Sequence, residues 1–149
     1  MLTPSQTVTS TSQIFRRACL GYLAALLIVL LLDGLWLGLV AADLYQREMG
    51  SLLNATPRWV PAAIFYLSYP AGLVYLIDAI HAQPLRRAAL RGAIVGLMAY
   101  GAYNLTNLSV LRGWPEILSA VDMAWGMFLS ATAAAGASWV VNKFATRTG

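Results

Sequence analysis

Two copies of one short pattern, Asp33-x-x-Trp36 and Asp122-x-x-Trp125, stand inside runs that are otherwise apolar. A third apolar run carries Tyr100, Tyr103, Asn104 and Asn107. Their spacing of i, i+3, i+4, i+7 puts all four on one face of a helix. Tyr66 and Tyr69 share a face in the remaining run in the same way. In each Asp-x-x-Trp pair the carboxylate and the indole also share a face, and an indole N–H can donate to a carboxylate on a neighbouring helix. A carboxylate at membrane depth costs roughly 2.5 to 3.5 kcal/mol on insertion scales, so two of them need a reason. One reason is a polar cavity that takes a cation, a proton or a polar ligand head, with the carboxylates close enough to form a protonatable pair. Aromatic rings around it suit a cationic group, as in quaternary ammonium cages. The other reason is a hydrogen-bonded network of aspartate, tryptophan, asparagine and tyrosine that locks the helices together. The sequence leaves both open.

Positioning these residues requires a bundle of helices in lipid. Of the 149 residues, 59% are hydrophobic and 11% charged, and the mean hydropathy is +0.65. A soluble domain has roughly 25% charged residues, so too few are present here to cover a water-facing surface. The net charge of +4 comes from residues scattered at the ends of apolar runs, a topology signal and not a nucleic-acid footprint. The single Cys19 makes no intrachain disulfide and suits packing, and the single His81 excludes a multi-histidine metal site within one chain. No metal or other cofactor is expected.

Four spans are expected, at about 18–41, 60–80, 88–111 and 117–141, after a polar Ser/Thr-rich tail of about fifteen residues. A cleaved signal peptide ending near Val40-Ala41-Ala42 fits less well, because the apolar run exceeds the usual ~7–15 residues and contains Asp33. Asp43 to Arg58 is read as a polar connection. Pro70 should kink the second helix, and Asp78 at its end should pair with an arginine of the following loop. Gly92 and Gly96 continue the Tyr100–Asn104–Asn107 face and permit close helix approach, while the small residues from Ser130 to Ser138 mark the fourth helix as central. Trp59 and Trp114 are interface anchors.

Arg16, Arg17, Arg86, Arg87, Arg91, Lys143 and Arg147 fall on one side of this arrangement, which predicts both termini in the cytoplasm of a multi-pass inner-membrane protein. Helix rise then places Asp33 ~12 Å, Asp122 ~8 Å and Asn104 ~10 Å below the outer surface, with Tyr66 and Tyr69 at similar depth. His81 lies at the opposite end, which rules out a Ser–His or Cys–His pair at the cluster. The expected pocket faces outward.

Together, Asp33-x-x-Trp36-x-Gly38, Tyr103-Asn-Leu-Thr-Asn107 with Gly113-Trp-Pro115, and Asp122-x-x-Trp125-Gly126 resemble a family of small bacterial four-span inner-membrane proteins of unknown function. The resemblance covers nearly the whole chain beyond the tail. It implies a fold and a membrane, not an activity. In that family's pattern an aspartate follows the tyrosine where this chain has Asn104, so this position is not an obligatory acid or base here. The readings that remain are binding or passage of a small polar or cationic solute, an enzyme acting on a lipid head group, and an accessory subunit of a membrane complex. Passage through only four helices would require a homo-oligomer.

Overall fold

The structure is a computed structural model that describes residues 10–145. It is all-helical: α1 spans Thr11–Leu35, α2 Ala42–Met49, α3 Trp59–Leu76, α4 Leu85–Val110 and α5 Glu116–Val140. A single π-helical turn, Trp36–Val40, extends α1, and another, Val141–Ala145, extends α5. The first helix therefore begins inside the stretch expected to be tail, because helical hydrogen bonding propagates past the apolar run. Residues 1–9 of that tail lie outside the described residues, as does Arg147. The connection expected over Asp43 to Arg58 is folded in its first half, as α2 and a short 3₁₀ turn, Gly50–Leu52.

Three helices are long and apolar enough to cross a membrane: Thr11–Val40, Trp59–Leu76 and Glu116–Phe144. Only 17% of the most apolar stretch is buried in the first two, against 44% in the third. Leu23, Leu27, Leu30 and Leu31 on α1, Ile64 and Leu67 on α3, and Ile94 and Met98 on α4 all face outward. Such a continuous apolar exterior is incompatible with water.

Alpha-helix α5 is the centre. Its small residues Ala133, Ala134 and Ala137 are fully buried, and it packs along α4 on one side and α1 on the other. The α4–α5 seam is the closest approach in the molecule. A Cβ placed at Gly92 would collide with the Ser130 carbonyl and Ala134, one at Gly96 with the Gly126 carbonyl and the Ser130 hydroxyl, and one at Gly126 with the Tyr100 ring. Small residues let backbones meet where lipid supplies no hydrophobic drive for association. Alpha-helix α3 packs mainly on α1. It touches α4 only sparsely, and α1 and α4 do not meet. The helices thus wrap α5 incompletely, leaving a gap between α3 and α4.

At the end remote from the aspartates, the α3–α4 loop is clasped by side chains. Arg91 donates to the Ile77 carbonyl at 2.9 Å, Gln83 to the same oxygen at 2.9 Å, and Asn142 to the Gln83 carbonyl at 2.9 Å. Asp78 adopts a left-handed backbone conformation (φ 58°) that stops α3 short of Ile80. It does not pair with an arginine as expected: its carboxylate meets His81 Nδ1 at 2.6 Å, because the turn swings it outward while the loop carbonyls occupy Arg91.

Candidate functional site

The two Asp-x-x-Trp patterns interlock. Asp33 lies near the end of α1, 4% exposed, and accepts a hydrogen bond from Trp125 Nε1 of α5 at 2.7 Å. Trp36 stacks on Trp125 with ring centroids 4.3 Å apart and planes 7° from parallel. The π-helical turn begins at Trp36, and π turns of this kind recur at functional sites. Each tryptophan thus serves the other helix's pattern.

Asp122, 8% exposed and one turn before Trp125, accepts on both oxygens. Tyr45 of α2 donates to Oδ1 at 2.7 Å, and Asn104 Nδ2 of α4 donates to Oδ2 at 2.6 Å. The same amide nitrogen also reaches the Tyr100 carbonyl at 3.1 Å. Burial, and then the bond to Asp122, push the Tyr45 phenol above the usual tyrosine range, so it remains a donor.

Both carboxylates border one cavity of about 470 Å³. That volume is in the range of small-ligand pockets. Its walls are aromatic: Trp36 and Trp125, Phe65 and Tyr66 from α3, Tyr100 and Tyr103 from α4. Tyr66 is within electrostatic reach of Asp33. The Trp36 indole N–H is buried and makes no hydrogen bond; the Tyr45 phenol is near it but not in bonding geometry. No lysine or arginine lines the cavity among the described residues.

Of the residues singled out by sequence, Asp33, Trp36, Tyr66, Tyr100, Tyr103, Asp122 and Trp125 meet at this cavity, and Asn104 supports it through Asp122. Tyr69 is diverted behind it, sharing a 2.6 Å hydrogen bond with Ser130. Asn107 stands one turn beyond, half-buried, and its carbonyl accepts the Leu111 N–H that ends α4. The sequence reading missed Tyr45, Phe65, Leu37 and Ala99, which also line the cavity. The one available signal was the run from Ala42 to Met49, with Asp43 at its start and Arg47 at its end complementing a helix dipole. That helix lies where an outward-open mouth was expected, and Tyr45 covers Asp122 there. Trp114, read as an anchor, donates to Ser119 Oγ at 3.0 Å and packs edge-on against Tyr103.

Two buried carboxylates walled by aromatic faces can hold a positive charge. Negative charge and ring quadrupoles act in the same direction there, and burial strengthens both. His81 lies in the α3–α4 loop, at the other end of the bundle. Among the described residues, no three His, Cys, Asp or Glu side chains gather as a metal-holding group.

Comparison with curated proteins gives no match, and neither does comparison with solved structures. A family model described as "Predicted membrane protein (DUF2177)" matches residues 18–139, a span that contains every residue of the cluster. The chain belongs to this family of predicted membrane proteins, whose function is unknown.

Proposed function

We propose that the protein is a four-span bacterial inner-membrane protein that binds a cationic ligand between Asp33 and Asp122. The fourth span is α4. Its 26 residues give ~39 Å at 1.5 Å per residue. It runs back along α5 through the short turn at Arg112–Pro115, so a bilayer crossed by α5 is crossed by α4 as well. The polar stripe that lowers its hydropathy is the part turned to the cavity. The arginine-rich end is assigned to the cytoplasm by the positive-inside rule, which puts both described termini inside and the cavity in the outer half.

The observation that carries the binding reading is the pair of buried carboxylates on one aromatic cavity that no lysine or arginine lines among the described residues. Asp122 has both oxygens engaged by protein donors, which suits a fixed wall of the site better than a group that exchanges with a substrate. That favours binding over acid–base chemistry on a lipid. Asp33 accepts from Trp125, with the Tyr66 phenol beside it, and is the less tightly held of the two. The buried Trp36 N–H supplies a donor for a ligand oxygen beside the charge. Passage of the ligand would add a second copy of the chain, but binding does not need one.

The test is titration of the full chain with choline and with its uncharged tert-butyl isostere, read by tryptophan fluorescence, to which Trp36 and Trp125 contribute at the cavity and Trp59, Trp114 and Trp139 elsewhere. Saturable quenching by choline and none by the isostere is expected. Equal responses to both, or no response to either, would overturn the reading.

A further inference from the structure

The cavity is covered at Asp122 and opens on a flank of the bundle. Tyr45 reaches over to Asp122 from α2, which packs on the extension of α1 and on α5. On the flank, the backbones of α3 and α4 scarcely approach; an edge-to-face pair, Tyr69 and Tyr100, bridges them, and beyond it the cavity runs into the gap between them. Phe65 frames that gap on the α3 side, Ala99 and Tyr103 on the α4 side. These three face outward: Phe65 is 38% exposed and Tyr103 53%, and Ala99 is exposed too, whereas Asp33 and Asp122 behind them are 4% and 8% exposed. Exposure thus falls from this flank inward, as it does along an entrance; Leu37, 44% exposed, forms a second exposed edge beside α1. Phe65 stands about six residues into α3 and Tyr103 about seven before the end of α4, so the entrance lies ~10 Å below the bundle's end. At that depth a span is surrounded by acyl chains, not by water.

We infer that the ligand is a membrane amphiphile, an acyl or alkyl chain ending in an amine or quaternary ammonium, which enters sideways between α3 and α4 with its head at Asp33 and Asp122 and its chain leaving past Phe65 and Tyr103. This rests on the cationic-ligand reading above and names its ligand class. The opening has no charged group that a chain would have to cross: Phe65, Ala99 and Tyr103 present two rings and a methyl. The head reaches negative charge only behind them. A small water-soluble cation can reach the same carboxylates but leaves the apolar passage past Phe65 and Tyr103 empty, so it binds more weakly than an amphiphile. The absence of a lining lysine or arginine among the described residues favours a head whose net charge is positive over one whose phosphate must also be held inside.

The full chain in maltoside micelles, whose head groups are uncharged, is titrated with tetramethylammonium and with hexadecyltrimethylammonium, again by tryptophan fluorescence. Ala99→Phe fills the entrance from the α4 side without touching either carboxylate. It is expected to weaken the long-chain cation at least tenfold relative to tetramethylammonium. An unchanged ratio would overturn lateral entry. A second measurement needs no variant: a long-chain ammonium with a diazirine several carbons along its chain is photolysed on the wild-type protein and the labelled peptides are sequenced. Labels at Phe65 and Tyr103 are expected, and labels confined to α2 or the bundle ends would overturn the inference. If tetramethylammonium binds while the chain labels elsewhere, this inference alone falls. If neither cation binds, the cationic-ligand reading falls with it.

Discussion

Replacing Asp33 by asparagine separates a carboxylate kept for a ligand from one kept for folding. The side chain is 4% exposed, and its recorded hydrogen bond comes from Trp125 Nε1 at 2.7 Å. Indole donates only, and an asparagine carbonyl can accept that bond in place of Oδ1. The bond changes from charge-assisted to neutral, a loss of about 1 kcal/mol within a bundle in lipid. Against that, the roughly 2.5 to 3.5 kcal/mol cost of a carboxylate at membrane depth disappears. The net effect is about 1.5 to 2.5 kcal/mol of stabilisation. For a chain of this size that corresponds to a Tm rise of about 3–10 °C. Choline affinity should move the other way. A unit charge ~4 Å from the cation is worth up to ~4 kcal/mol at an effective dielectric of 20, so at least a tenfold loss is expected after screening. The assay is thermal unfolding of Asp33→Asn and wild type in detergent, with a choline titration of each. A variant that loses more than about 2 kcal/mol, or does not fold, would refute the reasoning and make Asp33 part of the scaffold.

Other perturbations follow from the same contacts. Trp125→Phe keeps a ring for Trp36 to stack on but removes the donor to Asp33, so a loss of about 1–3 kcal/mol is expected by thermal unfolding. Combining it with Asp33→Asn should recover part of that loss, and strict additivity would contradict the pairing. Gly96→Ala drives a methyl into the Gly126 carbonyl and should cost about 1–3 kcal/mol. Gly72→Ala, where a methyl meets nothing within 4 Å, should be neutral or gain about 0.5–1 kcal/mol in the same assay. Tyr45 has a raised folded pKa, so its contribution is complete below the unfolded value of about 10 and is lost as pH rises above it. Tyr45→Phe should therefore flatten the alkaline decline in stability, and an unchanged pH profile would contradict its bond to Asp122.

The elements built from side-chain size and polarity were legible in the sequence. Gly92 and Gly96 marked the α4–α5 seam, and the run Ser130–Ser138 marked α5 as central, because small residues in apolar helices have few other uses. Asp33, Asp122 and Asn104 stood out because each costs energy at its depth, and the structure brings them to one end. Residues whose role depends on a change of chain direction were not legible. Tyr45 sits in a polar stretch, and it reaches Asp122 only because α2 folds back over the bundle. Trp36 was legible as a site residue, but not that it opens a π turn, a local departure from the 3.6-residue period that spacing arguments assume. Tyr69 shares a face with Tyr66 in the sequence reading, yet residues three apart on a helix differ by about 60° in direction, and its hydroxyl goes to Ser130. Asp78 escaped its expected arginine because the loop carbonyls of Ile77 and Ile80 engage Arg91 and Arg17.

The most direct measurement is the structure of the full chain, bound to an antibody fragment, in micelles containing hexadecyltrimethylammonium. Density for a head group between Asp33 and Asp122, continuous with a chain passing between Phe65 and Tyr103, is the result this account predicts. A cavity filled by the protein's own side chains, with the amphiphile only on the outer surface of the bundle, would contradict it.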